Sequence, residues 1–261
     1  MDEAPLLVSD DRGLRRLTLN RPDRHNAFDD MLVAALSEAL DAAAADASVR
    51  AVVLSGAGPS FCAGADIGQM RRCGSLGRDE NIAEAASLGA LMQRVYAMPR
   101  PVIALVHGAV YGGGTGLVAA ADIAVADASA KFRFSEVALG LVPGVISPYI
   151  LRAIGERQAG RLFLTAEPFG AEEARRIGLV HEVVPEGGLE DRLAALAKLL
   201  GGNAPGAMAS AKSLIREVAG RRIDSETLAH VAGRLADARM GREGQEGLAA
   251  FIEKRRPDWK T

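Results

Sequence analysis

The stretch Pro101-Val102-Ile103-Ala104-Leu105-Val106-His107-Gly108-Ala109-Val110-Tyr111-Gly112-Gly113-Gly114-Thr115-Gly116 decides how the 261-residue chain is read. An uncharged, β-favouring run ends in a glycine cluster that opens a helix, and the strand Asp122 to Ala126 follows at once. A strand, a short helix and another strand require a crossover, so the pairing is expected to be parallel and the class α/β. At the glycine turn, the first N–H groups of the helix lack partners and the positive end of its dipole faces outward, which favours negative charge there.

Working outward, a similar unit precedes this one. Val49 to Ser55 predicts a buried strand, and Gly56-Ala57-Gly58-Pro59-Ser60-Phe61-Cys62-Ala63-Gly64-Ala65-Asp66-Ile67 leads from it into a helix. A further helix is expected around Glu80 to Met98. Upstream, Leu6 to Ser9 and Leu14 to Leu19 flank Asp10-Asp11-Arg12-Gly13 as a hairpin. Met31, Leu32, Ala35, Leu36, Ala39 and Leu40 recur at helical spacing, capped by Asp29 or Asp30. Beyond Lys131 the pattern turns helical: Val145 to Ile154, Glu156 to Leu164, Ala171 to Ile177, Leu189 to Leu200, Ala204 to Val218, Ser225 to Met240 and Gln245 to Arg255. Only Leu179 to Val184 reads as another strand there. The break at Gly201-Gly202-Asn203-Ala204-Pro205 divides an α/β core, residues 1–200, from a helical region, residues 201–261, whose apolar faces need another surface.

Composition narrows the function classes. With 31 Lys and Arg against 33 Asp and Glu the formal charge is −2, and no segment gathers enough cations to neutralise a phosphate backbone, so no nucleic-acid partner is expected. Two cysteines, Cys62 and Cys73, are too few for a disulfide framework and lack zinc-site spacing, which suits a reducing compartment. Met1 to Asp10 has no basic start followed by an apolar run, and no stretch reaches membrane-spanning length, so a cytoplasmic protein is expected. His181-Glu182-Val183-Val184-Pro185 lacks the second His of a zincin and no G-x-S-x-G elbow occurs, leaving no metal and no serine nucleophile. Cys62, without a nearby His, reads as a small buried hydrophobe. Gly114-Thr115-Gly116-Leu117-Val118-Ala119 matches G-x-G-x-x-A with Glu136 twenty residues beyond Gly116, a dinucleotide-binding pattern, but the glycines do not follow the strand directly. Two N–H-presenting turns in one sheet point instead to two donors converging on one oxygen.

These residues resemble the crotonase, or enoyl-CoA hydratase/isomerase, superfamily. The resemblance runs through Asn20-Arg21-Pro22 to Asn26-Ala27, Ser60 to Ile67, Pro101 to Ala104 with Gly112-Gly113-Gly114, Asp122-Ile123-Ala124, Ser135-Glu136-Val137, Gly140 to Gly144, Gly178-Leu179-Val180 and Phe251 to Arg255. It implies a spiral of ββα units, a helical C-terminal trimerisation region, acyl-CoA thioester substrates, and a homotrimer or dimer of trimers. No separate cofactor is implied, since coenzyme A is part of the substrate. Matched by motif, the oxyanion donors are the backbone N–H groups of Ala65 and Gly113. Arg24, Ala27, Ala63, Asp66, Ile67 and Gly68 would line the CoA handle, with Phe251 and Lys254 reaching the nucleotide, potentially from a neighbouring subunit. A Lys often found after Asp-Ile is Gly68 here.

The acid and base depart from the pattern. Family hydratases commonly carry two glutamates, one just after the triple glycine and one twenty residues later; here these positions are Gly116 and Glu136. Phe132-Arg133-Phe134-Ser135 ahead of Glu136 predicts a partly apolar setting that raises its pKa and suits it to proton transfer. A single carboxylate fits the family's isomerases. Tyr111 to Ala121, with Ser135 to Ile150 and Ala153 to Arg157, instead resembles the bacterial branch assigned to methylglutaconyl-CoA hydration in leucine breakdown, with Gly116 read as room for a bulkier acyl group. A non-catalytic CoA-binding or assembly protein of the same fold is the third reading.

Overall fold

The computed structural model describes residues 4–259, so the first residues of the Met1–Asp10 stretch lie outside it. Strands β1 (Leu6–Asp11) and β2 (Leu14–Leu19) form the expected antiparallel hairpin, with Gly13 at φ +81 in its turn. From Asp29, whose side chain accepts the Leu32 N–H at 2.9 Å, helix α1 (Asp30–Ala45) buries Leu32, Leu36, Leu40 and Ala43.

The chain then winds a repeating path. Strand β3 (Ala51–Gly56) leads to β4 (Ser60–Cys62), then α2 (Ile67–Cys73) and α3 (Arg78–Ala97). Strand β5 (Val102–Val106) leads to β6 (Ala109–Tyr111) and α4 (Gly113–Ala120). Strand β7 (Ile123–Asp127) leads to β8 (Lys131–Arg133), a 3-10 turn at Glu136–Leu139, and α5 (Ser147–Thr165). Each turn thus contributes one strand to each of two sheets. The larger sheet has order β1-β2-β3-β5-β7-β10 and is parallel from β2 onward, with β10 at Glu182–Val184; the smaller has order β4-β6-β8-β9, with β9 at Phe169–Gly170. This is the spiral of ββα units that the family resemblance implies.

Helices cover both faces of the large sheet, which explains the unbroken apolar runs of its central strands. Val52, Leu54, Val102, Ala104 and Val106 face the core shared with α1, α3 and α4. Val53, Ile103, Leu105 and Val125 face Leu193 and Leu196 of α7 (Leu189–Gly201). In the small sheet Phe132 stacks on Phe169 with ring centroids 5.5 Å apart.

Several expectations need correction. The strands Ser60–Cys62, Ala109–Tyr111, Lys131–Arg133 and Phe169–Gly170 are too short to carry a period-two pattern, and two lie inside stretches read as glycine loops. The strand expected at Leu179 to Val184 shrinks to its last three residues, because the Leu179 N–H turns back to the Ala174 carbonyl at 2.9 Å after α6 (Ala171–Arg176). The two helices expected either side of Gly155 form one element broken at that residue, which has φ +72.

The last helices, α8 (Pro205–Val218), α9 (Ser225–Met240) and α10 (Arg242–Ile252), pack on one another. Helix α8 docks at the amino ends of β5 and β7, where Lys212 pairs with Asp122 at 2.5 Å and Arg216 donates to the Tyr96 carbonyl. No helix among the described residues is long and apolar enough to cross a membrane.

Candidate active site

The two glycine turns follow β4 and β6, the small-sheet strands reached from the carboxyl ends of β3 and β5, opposite to the end where α8 docks. Here two stretches of backbone approach each other closely. A Cβ on Gly64 (φ +93) would lie 3.0 Å from the Tyr111 carbonyl oxygen, and one on Gly112 (φ +46) would lie 3.9 Å from Gly64 Cα. Both positions therefore need the positive φ that glycine adopts freely, and at Gly64 the tight approach to the Tyr111 carbonyl adds to that demand. Their neighbours Ala65 and Gly113 are brought side by side, and among the described residues neither N–H donates to a backbone carbonyl.

Phe28 joins the two. Its N–H donates to the Gly64 carbonyl at 2.7 Å and its carbonyl accepts the Asp66 N–H at 2.8 Å, bracketing Ala65 so that the intervening N–H points away from the strap. Its ring lies 3.1 Å from where a Gly113 Cβ would stand. Phe28 follows the Asn26-Ala27 motif directly, yet nothing in the sequence distinguishes it from an ordinary core aromatic.

Glu136 opens the 3-10 turn, and its Oε1 would lie 3.2 Å from a Cβ on Gly112. Its Oε2 is buried with no hydrogen-bond partner, and burial pushes the carboxyl above the usual glutamate range, as its apolar flank predicted. Glu136 and the two N–H groups therefore share one junction. Leu139, Leu141 and Val142, just beyond, are exposed.

Gly116 sits one turn into α4, fully enclosed. A Cβ there would fall 2.4 Å from Ile146 Cγ2 and 3.3 Å from Met92 Cε. The room expected around this position is filled by those two side chains, which sequence reasoning did not connect with it. Gly114 is likewise closed by the Cys62 carbonyl, 2.3 Å from its Cβ position, so neither glycine of the dinucleotide pattern is open to a pyrophosphate. Cys62 is buried, and that burial drives its thiol up to about 12, consistent with a packing residue.

Of the residues expected along the CoA handle, Arg24, Ile67 and Gly68 are exposed, Ala63 is half-buried and Ala27 is buried. The Asp66 side chain caps α2, accepting the Gly68 N–H at 2.7 Å, and pairs with Arg21 at 3.2 Å. Phe251 and Lys254, at the end of α10, are exposed, and their helix packs on α8 and α9. The chain thus brings Glu136, Ala65 and Gly113 together and leaves Phe251 and Lys254 elsewhere. A cavity of about 30 Å³ beside Ala65 is lined by Phe28, Gln69, Glu84 and Leu88 among others; larger ones, about 630 Å³ against α7 and about 670 Å³ among α8 to α10, lie away from the junction. Among the described residues no group of three or more His, Cys, Asp or Glu is placed to hold a metal ion.

The enoyl-CoA hydratase/isomerase family model matches residues 10–261. The chain belongs to this family. An enoyl-CoA hydratase from Shewanella pealeana ATCC 700345 has a crystal structure that superposes with a TM-score of 0.95 at 38% identity, covering 98% of this chain and 96% of that one. The 2,3-dehydroadipyl-CoA hydratase of Escherichia coli (strain K12) is 31% identical over 262 residues, 98% of each chain. From the same organism, 1,2-epoxyphenylacetyl-CoA isomerase is 32% identical over 257 residues, 95% of each chain. Family membership makes this protein an enzyme of enoyl-CoA chemistry. Near-equal identity to a hydratase and an isomerase leaves the choice between them to the site itself.

Proposed function

We propose that the protein adds water across the α,β double bond of an enoyl-CoA thioester, giving a 3-hydroxyacyl-CoA. The observation that carries this reading is the buried, unpartnered Oε2 of Glu136 at the junction where Ala65 and Gly113 present their N–H groups. A carboxylate oxygen in that position suits a nucleophilic water. In the proposed step Glu136 takes one proton from water while the water oxygen bonds to C3. The electrons of the double bond move onto the thioester oxygen as an enolate, held by the two N–H donors. The same proton then returns from Glu136 to C2, and the enolate collapses to the thioester. Water is consumed whole, and one carboxylate suffices because hydroxyl and proton arrive on the same face. Removing one such donor costs about 10²- to 10³-fold in enzymes generally, so the pair bears much of the barrier lowering.

The CoA handle is assigned to the strip from Arg24 to Ala27 and Ala63 to Gly68, with Phe251 and Lys254 supplied by a second copy in a homotrimer or dimer of trimers. This assembly explains why those two residues stand apart from the junction within one chain. Resemblance of Ser135 to Ile150 supports 3-methylglutaconyl-CoA as the substrate, and two free cysteines fit a cytoplasmic setting.

One observation favours double-bond isomerisation as the second reading: Ile146 and Met92 close the space at Gly116, leaving a single carboxylate to carry a proton between two carbons. Turnover of 3-methylglutaconyl-CoA and crotonyl-CoA in ¹⁸O-labelled water separates the two. Hydration puts the heavy oxygen on C3; conversion of a 3-enoyl-CoA into its conjugated isomer without oxygen uptake overturns it.

A further inference from the structure

Arg21 lies half-buried behind the junction, outside hydrogen-bonding reach of Glu136, yet its guanidinium holds three separate acceptors. It donates to the Ala27 carbonyl and to Asp66 Oδ2 at 3.2 Å, and forms an ion pair with Asp29 Oδ2 at 2.8 Å. These acceptors are the two chain neighbours of Phe28 and the residue following Ala65. Each carboxylate already has a second duty, since Asp29 Oδ1 accepts the Leu32 N–H and Asp66 Oδ1 the Gly68 N–H. One planar cation therefore joins the start of α1, the start of α2, and the strap between them.

The strap is what aims the donors. Phe28 brackets Ala65 through its own N–H and carbonyl, and lays its ring against Gly113. Arg21 is itself anchored: its N–H donates to Asn26 Oδ1 at 2.8 Å, and the buried Asn26 amide donates on to the Ala57 and Ser60 carbonyls at 2.8 and 2.7 Å. Rigid β3 and β4 are thereby connected through Asn26 and Arg21 to both sides of Phe28. Burial alone would raise the Asp66 carboxyl, but the Gly68 N–H and the Arg21 charge outweigh it and hold the group below the usual aspartate range, so Asp66 stays ionised at neutral pH.

We propose that Arg21 is a positioning residue for the oxyanion site: by clamping Asp29, Asp66 and the Ala27 carbonyl it fixes the Phe28 strap and so the direction of the Ala65 N–H. This rests on the reading of Ala65 as an oxyanion donor. Fixed donors stabilise developing charge because they need no reorganisation during the reaction, so a loosened strap penalises the enolate more than the ground-state thioester.

The test is 4-(dimethylamino)cinnamoyl-CoA, whose absorption moves to longer wavelength when donors polarise its thioester carbonyl, combined with steady-state kinetics on the substrate turned over. Bound to the parent enzyme, it is expected to red-shift. Arg21→Met should lose most of that shift and about 10²-fold in kcat, while KM changes by less than about threefold, and Asp66→Asn should lose the shift and kcat in parallel with it. Arg21→Lys, whose single ammonium cannot span all three acceptors, should recover part of both. Should Arg21→Met fail to fold, the lysine and Asp66→Asn variants carry the comparison. A folded Arg21 variant with full shift and full kcat overturns the positioning role and leaves the oxyanion reading intact. Absence of any shift in the parent enzyme overturns that reading and the inference with it.

Discussion

Replacing Gly116 by Ala puts one methyl group into a space that Ile146 already holds. The added carbon would sit 2.4 Å from Ile146 Cγ2, 3.1 Å from Ile146 Cβ and 3.3 Å from Met92 Cε. Ile146 is 3% exposed and β-branched, with little freedom to turn aside. Overpacking of this kind costs about 1–3 kcal/mol. Ala is a better helix former than Gly by roughly 1 kcal/mol, which offsets part of that. The net expectation is a loss of up to about 2 kcal/mol, or up to roughly 8 °C in melting temperature for a chain of this length. Ile146→Ala alone leaves a cavity and should cost about 2–5 kcal/mol. In the double variant the new methyl occupies part of that cavity, so the two effects should fall short of their sum by about 0.5–3 kcal/mol. Urea unfolding followed by circular dichroism measures all three. Gly116→Glu extends the same logic to catalysis: it should cripple the parent enzyme and gain room only alongside Ile146→Ala, where a second acid would enlarge crotonyl-CoA hydration. A neutral Gly116→Ala whose effect adds simply to that of Ile146→Ala would show that Ile146 does not fill this space.

Two further outcomes follow from single groups. Hydration requires Glu136 as the carboxylate, so kcat should rise with pH through a value above the ordinary glutamate range, and Glu136→Gln should lose about 10²- to 10⁴-fold with KM little changed. Because the native pKa is raised, the folded state binds more protons there than the unfolded state. Stability should therefore fall as pH climbs from the unfolded to the native value, a decline that melts of Glu136→Gln should lack. On α10, Phe251 is 83% and Ile252 76% exposed, so Phe251→Asp should disrupt the proposed assembly and weaken CoA-thioester binding; a parent enzyme monomeric by light scattering at micromolar concentration and fully active would refute the assembly.

What the sequence made legible was whatever repeats over several residues. Helix α1 follows from apolar spacing and the Asp29 cap, and the parallel order of β3, β5 and β7 from alternation with helices. The glycine turns at Gly64 and Gly112 to Gly113 were visible because positive φ and close approach demand glycine, whereas Glu136 was picked out by the family resemblance. The small sheet was not visible: its strands span two or three residues, and their pairing partners are set by the winding of the spiral rather than by any local pattern. Nor did any periodicity tie Ile146 to Gly116, thirty positions apart, or Phe28 to Gly113. Those contacts exist only once α3, α4 and α5 are stacked.

The winding also explains why one junction serves this chemistry. Each turn of the spiral steps from the large sheet to the small one at the carboxyl end of a strand, and there the backbone must change direction within a few residues. Turns after β4 and β6 lie beside each other because β4 pairs with β6, as β3 pairs with β5. N–H groups left free by the change of direction consequently face a common space, and the third turn, after β7 and β8, delivers Glu136 to it. Donors made of backbone are insensitive to side-chain exchange, whereas the acid is one side chain on a short 3-10 turn. On the proposed reading the oxyanion geometry is a property of the fold, held by Phe28 and its Arg21 clamp, and the fate of the enolate is decided by the few groups around it. In this chain the acid among them is Glu136. A single acid can protonate only the face it shares with the incoming water, so hydration in deuterated water should give one C2 diastereomer, with deuterium and hydroxyl added to the same side. A mixture at C2, read by proton NMR of the product, would mean that solvent rather than Glu136 supplies that proton.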